Sequence, residues 1–279
     1  MINHIVIDSS CDINSDLINS ETCTLTRVPL NMQIEDNVYL DDETFDQDAY
    51  LARMDASTVA VKTSAPSPSL FFEQFKKGEN IFGVTLSNKL SATYQSAMTA
   101  KDMYLEECSK KFIHIFDSLS ASVGGGIVAL KVSELLKNGL GTTEVIEQVN
   151  QFIKNMNTFF ILDKFDNLVK TGRIKPYIAK IASLLNIKPV CGSDNGEIKM
   201  IDKARGFSKA LSRLISIIKE TTPDIESRII SITHVKAYEK ALQIKEECLK
   251  HLTAKDVIIQ ESGGITTTYA QKGGVVIAL

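Results

Sequence analysis

Hydroxyl side chains gather at the turns of this chain. Asp8-Ser9-Ser10, Thr63-Ser64, Ser87 with Ser91 and Thr93, and Asp117-Ser118 with Ser120 all stand at or near turns that lead into helices. A serine becomes a nucleophile only beside a base, and no Gly-x-Ser-x-Gly elbow is present, nor a histidine that spacing assigns to a serine. A hydroxyl without a base is a hydrogen-bond donor, better suited to holding an anion than to attacking a carbonyl. Ser91 stands where a helix should begin, so its hydroxyl, the free N–H groups of the first turn and the helix dipole suit a carboxylate or phosphate. The alternative is that Ser91 only caps that helix, and spacing leaves both readings open. Arg173 follows Lys170-Thr171-Gly172, and Arg205 follows Lys203-Ala204 just before a helix. A cation at a helix start opposes the dipole preference, which points to phosphate or partner contact, with a solvated surface as the other reading.

Other constellations are absent. Nothing matches a P-loop, the spaced-glycine dinucleotide fingerprint or an HExxH zinc helix. Gly124-Gly125-Gly126 fits no glycine motif and reads as a close-packing site. His4, His114, His234 and His251 lack metal-ligand spacing, and His4 and His114 fall inside strand patterns as structural residues. The run Asp41-Asp42-Glu43 with Asp46 and Asp48 reads as a solvated helix start, not a magnesium site. Cys11, Cys23, Cys108, Cys191 and Cys248 form no CxxC pair and are expected to be reduced thiols. No cofactor and no metal are expected.

These groups need a scaffold, and 279 residues suffice for about two domains. Hydrophobic residues at 44% and charged residues at 23% are globular values. With 31 basic against 34 acidic residues, a net charge of −3 gives no general attraction to nucleic acid. Trp is absent and aromatics are 7%, so base-stacking platforms are scarce. The first residues show no basic stretch leading into an apolar run, and no segment approaches the roughly 20 apolar residues of a membrane span. A cytoplasmic protein is expected.

His4–Ile7, Ile81–Leu86 and Phe112–Phe116 are short apolar runs, each leading to a polar turn and a helical pattern; Ala97, Ala100, Tyr104 and Cys108 illustrate the helix spacing. Repetition of this unit predicts a parallel βαβ sheet, with ligands at the carboxyl ends of its strands. Pro29–Leu40 reads as a hairpin turning at Glu35-Asp36-Asn37. In the second half, Ile187–Cys191, Asp194-Asn195-Gly196 and Glu197–Ile201 form a strong hairpin signal. Helices are expected at about 205–221 and 236–252, and strands at Arg228–Thr233, Val257–Gln260 and Gly274–Leu279. The expected architecture is α/β: a parallel-sheet domain, 1–157, and an α+β domain with antiparallel strands, 158–279. The boundary follows a long helix ending near Asn155.

Several segments together resemble the DegV family. They are Ile7-Asp8-Ser9-Ser10-Cys11-Asp12-Ile13, Thr63-Ser64-Ala65-Pro66-Ser67-Pro68, Leu90-Ser91-Ala92-Thr93-Tyr94-Gln95-Ser96-Ala97 and Phe116-Asp117-Ser118-Leu119-Ser120-Ala121-Ser122. In the second half come Leu168-Val169-Lys170-Thr171-Gly172-Arg173-Ile174, Leu184-Leu185-Asn186-Ile187-Lys188-Pro189 and Gly273-Gly274-Val275-Val276-Ile277-Ala278-Leu279. The resemblance runs in order across nearly the whole chain. It implies a DegV-like two-domain architecture, with a long-chain fatty acid enclosed between the domains of a bacterial cytosolic binding protein. In family members that are subunits of fatty acid kinase, the protein presents the acid to a separate kinase, which phosphorylates the carboxylate for phospholipid synthesis. The subunit itself is not an enzyme. By the same resemblance, Thr63 and Ser91 hold the carboxylate. Arg173 and Arg205 serve kinase contact or handling of product at a membrane, so transient membrane contact is expected and nucleic acid is not.

The chain departs from the family pattern in places. Tyr269, beside Thr268, stands where a histidine is frequent, and both are expected at the carboxylate. Phe207 replaces a second arginine, Asn88-Lys89 a serine-glycine turn, and Ala92 a glycine. A phenol still donates a hydrogen bond but does not titrate near neutrality. These changes spare acyl binding more readily than kinase coupling. The alternatives are a fatty-acid or lipid carrier without kinase coupling, and an enzyme acting on a small carboxylated or phosphorylated substrate.

Overall fold

The computed structural model describes residues 3–107 and 111–279, so Cys108, proposed above as a helix position, lies outside the described residues. Strands β1 (Asn3–Asp8), β2 (Cys23–Val28), β6 (Asn80–Thr85) and β7 (Phe112–Asp117) form a parallel sheet in the order β2-β1-β6-β7. Side chains of β1 alternate between two helical layers, as the period of a strand requires. Val6 packs with α2 (Pro68–Phe75) and α3 (Thr93–Glu107), while Ile5 and Ile7 pack with α4 (Val123–Lys137) and α5 (Thr142–Asn155). Burial on both faces explains the unbroken apolar runs of β1 and β6. Strand β2 was not expected. It lies at the sheet edge, and its Thr24 and Thr26 hydroxyls bond the His4 ring at 2.8 and 3.0 Å, which makes His4 structural.

The hairpin of β3 (Asn31–Ile34) and β4 (Asn37–Leu40) forms as expected, with Glu35 in the left-handed region at φ 54°. Helix α1 (Gln47–Ala56) follows. An unexpected short strand, β5 (Lys62–Ser64), then joins β3 and places Thr63 opposite Met32.

The second half supplies a six-stranded sheet from β8 (Thr158–Ile161), β9 (Ile187–Asp194), β10 (Glu197–Arg205), β11 (Ile229–His234), β12 (Asp256–Glu261) and β13 (Val275–Ala278). The order is β10-β9-β8-β13-β11-β12, antiparallel throughout except between β11 and β12. The β9–β10 hairpin turns at Asn195-Gly196, both at positive φ, the geometry favoured for a two-residue loop. Helices α8 (Phe207–Thr221) and α9 (Tyr238–His251) cover one face of this sheet. The other face packs against α6 (Asp166–Lys170), α7 (Pro176–Ala182), α10 (Gly264–Ala270) and the start of α4.

Helix α4 is therefore buried between the two sheets. Its glycines are the close-packing site expected: a Cβ on Gly125 would strike the Cys11 sulfur, and one on Gly126 the backbone oxygen of Asp12. The acidic run needs one correction. Asp46 caps α1 by accepting from the Ala49 N–H at 3.0 Å, but Asp41 is buried rather than solvated. It accepts from the N–H groups of Gly264 and Ile265 at 2.5 and 3.1 Å, holding the start of α10. Among the described residues no helix is long and apolar enough to cross a membrane, and no group of His, Cys, Asp and Glu is arranged to hold a metal.

Candidate functional site

The carboxyl ends of β6 and β7 face the six-stranded sheet, and between them lies a cavity of about 120 Å³. Its walls are mainly apolar. Leu86 and Leu90 come from the loop after β6, Phe160 and Val276 from β8 and β13, Leu168 from α6, and Ile265 from α10. The turn of the β9–β10 hairpin closes one side, where the Ser87 hydroxyl donates to the Gly196 carbonyl at 2.9 Å.

Four of the six expected site residues converge here. Thr63 reaches the cavity from β5 and Tyr269 from α10, with their oxygens 2.7 Å apart. Ser91 precedes α3, and its oxygen accepts from the Thr93 N–H at 3.3 Å and lies 2.9 Å from the Thr93 hydroxyl. Ser91 thus receives one N–H at the start of α3 and also lines the cavity. Arg173 lies in the turn between α6 and α7. It donates to the carbonyls of Thr171 at 2.8 Å and Leu90 at 3.4 Å, with its guanidinium carbon 5.8 Å from the centre of the Tyr269 ring.

Each hydroxyl pair has two protons and uses one between its own oxygens. The Thr63–Tyr269 and Ser91–Thr93 pairs can therefore each present one further O–H. Together with Arg173, they make one end of an apolar cavity a place for an oxyanion.

The other two residues lie elsewhere. The Thr268 hydroxyl is fully buried, donates to the Gly264 carbonyl at 2.8 Å and lies 2.7 Å from the Tyr50 hydroxyl. Thr268 turns away from the cavity, toward the Tyr50 hydroxyl and the Met32 sulfur. The cavity stripe of α10 is Ile265, Thr266, Tyr269 and Ala270. Arg205 is exposed at the end of edge strand β10, outside the cavity.

Sequence reasoning missed Thr266 and the groups behind the wall. Asp12 is buried and accepts from the Ser122 and Thr266 hydroxyls, both at 2.6 Å, and from the Gly263 N–H at 2.8 Å. Burial, opposed by those three bonds, pushes its carboxyl up to about 7. Asp8 is pushed up to about 6, also by burial, and accepts from the Leu86 N–H at 2.7 Å. The only local signal was the Asp-Ser-Ser-Cys-Asp turn itself.

A family profile described as "Uncharacterised protein, DegV family" matches residues 3–279. A DegV domain-containing protein of Streptococcus pyogenes serotype M1 is 34% identical over 276 residues, covering 98% of this chain and 97% of that one. A DegV family protein from Ruminococcus gnavus, refined with vaccenic acid, superposes with a TM-score of 0.93 at 35% identity, over 99% of each chain. The fatty acid kinase B3 protein of Streptococcus pneumoniae, loaded with linoleic acid, superposes with a TM-score of 0.93 at 31% identity, over 100% of this chain and 99% of that one. By profile, curated relative and fold alike, the chain belongs to the DegV family.

Proposed function

We propose that this protein binds a long-chain fatty acid between an α/β unit (1–157) and an α+β unit (158–279) and presents it to a separate kinase, without catalysing phosphoryl transfer itself. One observation carries the reading: hydroxyls from β5, α10 and the start of α3 meet an arginine at one end of a cavity that is otherwise apolar. The solved relatives holding vaccenic and linoleic acid support the ligand class. The carboxylate bonds Ser91, the Thr63–Tyr269 pair and Arg173, which together offset its desolvation. Each buried methylene of the tail contributes roughly 0.8 kcal/mol. A polar cavity would have favoured a small-substrate enzyme, and the walls argue against it.

Arg205, exposed on the edge strand, is proposed for kinase contact. Membrane contact is assigned to the α7 region. Tyr177, Leu184 and Leu185 are exposed there at 49%, 57% and 82%. Lys170, Lys175 and Lys180 are exposed beside them and the segment 167–187 has no acidic residue, a combination suited to an anionic bilayer surface. A carrier without kinase coupling is the second reading, favoured by Phe207 at a position the family often fills with arginine.

Mass spectrometry of the recombinant protein, native and then denatured with organic extraction, tests the ligand. A stoichiometric fatty acid is expected, with reduced retention in Ser91→Ala. A protein that neither carries nor takes up fatty acid would overturn the assignment. Adding a cognate kinase and ATP separates the two readings, since only a kinase-coupled protein yields acyl phosphate.

A further inference from the structure

Asp12 lies behind the cavity wall, and its three donors come from two different walls. Ser122 immediately precedes α4, Thr266 lies on α10, and Gly263 is the N-cap of α10. Ser122 and Thr266 line the cavity. One carboxylate thus ties the loop after β7 to the helix that brings Tyr269 to Thr63.

Both tied segments need holding. Ser122 sits at φ 58°, ψ −134°, outside the regions favoured by residues with a side chain. Its hydroxyl is fixed by Asp12, and its carbonyl accepts from the Asp12 N–H at 3.2 Å. Helix α10 is a single short run, Gly-Ile-Thr-Thr-Thr-Tyr-Ala, rich in β-branched residues and too short to persist alone. Its first N–H groups go to Asp12 and Asp41.

The charge state of Asp12 decides how firmly it can hold these donors. As a carboxylate it accepts from all three; once protonated it must itself donate, and one hydroxyl has to turn away. Asp41 and Cys11 interact with it, and Asp8 and Arg27 lie behind them. Asp41 accepts from α10, Asp8 ends β1, Cys11 is the neighbouring thiol, and Arg27 projects from β2; Asp41 opposes the charged form of Asp12. Burial places the titration of Asp12 near neutrality.

We propose that Asp12 is a positioning residue for the acyl site: its carboxylate clamps Ser122 and Thr266, and protonation releases the clamp, so that ligand affinity falls on acidification. This rests on the fatty-acid reading for its ligand but not for its mechanics. The test measures the Kd for linoleic acid from pH 6 to 8.5 in the wild type, Asp12→Asn, Thr266→Val and Thr266→Ser. In parallel, amide exchange of residues 264–270 in ligand-free protein is followed and corrected for intrinsic rates.

Loss of a bond to a charged group corresponds to at least about a tenfold change. Asp12→Asn should therefore weaken binding about tenfold at pH 8 and flatten the profile. Thr266→Val should move the wild-type midpoint to higher pH, because the carboxylate loses a donor, and Thr266→Ser should restore it. Protection of α10 should fall on acidification in the wild type and not in Asp12→Asn. Wild-type affinity and pH profile in Asp12→Asn would sink the proposal. If that variant does not fold, an unmoved midpoint in Thr266→Val does so instead. A wild type that binds no linoleic acid at any pH, while α10 still loosens on acidification, removes the fatty-acid reading and leaves the clamp.

Discussion

Replacing Thr63 by Val and Tyr269 by Phe, singly and together, asks whether the two hydroxyls act as one donor. Their oxygens are 2.7 Å apart, so one proton lies between them and one remains to be offered. In either single variant the surviving hydroxyl no longer donates to its partner, and its own proton becomes free. The number of O–H groups available to a carboxylate is one before the change and one after it. Each single variant therefore loses only the polarisation and placement supplied by the partner, a cost of about 0.5 kcal/mol or about twofold in Kd. Independent hydroxyls would make the double variant about fourfold weaker. The double variant instead loses the whole charge-assisted bond, about 1.5–3 kcal/mol, which is roughly ten- to a hundredfold. Phe preserves the ring beneath Arg173, whose guanidinium carbon is 5.8 Å from its centre, so the cycle isolates the hydroxyls. Equilibrium dialysis with labelled fatty acid measures the four affinities, and thermal unfolding confirms that all four proteins are folded. Single variants that each lose tenfold or more, with a double equal to their product, would show that the hydroxyls hold the ligand separately and would refute the pair argument.

Three further outcomes follow from other parts of the molecule. Gly124→Ala should destabilise by about 1–3 kcal/mol in urea, although Ala is normally favoured in a helix by about 1 kcal/mol; its Cβ would strike Ser120 and come within 3.0 Å of Thr158, whose hydroxyls are bonded at 2.7 Å. A stabilised variant would show that α4 is not packed as described. Because the Asp12 carboxyl is raised from 3.8 to about 7, the folded state binds more protons than the unfolded state across that window. Against global unfolding, which brings Asp12 into water, its contribution to stability is complete below about pH 4 and lost as pH rises through 7, by about 4 kcal/mol at most; the proposed loosening of the clamp leaves Asp12 buried with fewer donors and has the opposite dependence. His4, His114 and His234 are lowered by burial and act in the opposite direction. The difference between wild-type and Asp12→Asn urea profiles from pH 5 to 8 therefore isolates the aspartate, and parallel profiles would contradict its assignment. Finally, Leu184→Glu with Leu185→Glu should reduce sedimentation with phosphatidylglycerol vesicles by at least about tenfold, since each leucine buried in lipid contributes roughly 1.5–3 kcal/mol; undiminished binding would place membrane contact elsewhere.

The elements legible in the sequence were those whose stability is written locally. Strands β1, β6 and β7 read as apolar runs because each is sandwiched between helices, and the β9–β10 hairpin read from Asn195-Gly196 because only a few residue types suit that turn. Strand β2 escaped because Thr24, Thr26 and Arg27 interrupt its apolar pattern, and β5 because three residues carry no period. Helix α10 was illegible for a deeper reason: its composition favours a strand, and the groups that fix its start, Asp41 and Asp12, lie 223 and 251 residues from the N–H groups they accept from. Those same two residues were read by their neighbours in sequence, Asp41 as part of a solvated run and Asp12 as part of a turn. The placement of Thr268 outside the cavity has the same origin. Adjacency to Tyr269 implied a shared task, but Thr268 turns toward Tyr50 and Met32, while Thr266 and Tyr269 line the cavity. Ser91 and Arg173 could be singled out as a hydroxyl at a helix start and an arginine in a turn, whereas Thr63 took its role only from the family resemblance. Their convergence depends on the closing of two sheets around α4, and on a helix whose first N–H groups are received by distant carboxylates. A binding site assembled in this way is visible in sequence as separate polar residues at turns. What joins them is a set of buried caps, and those are the residues whose substitution should be felt furthest from where it is made.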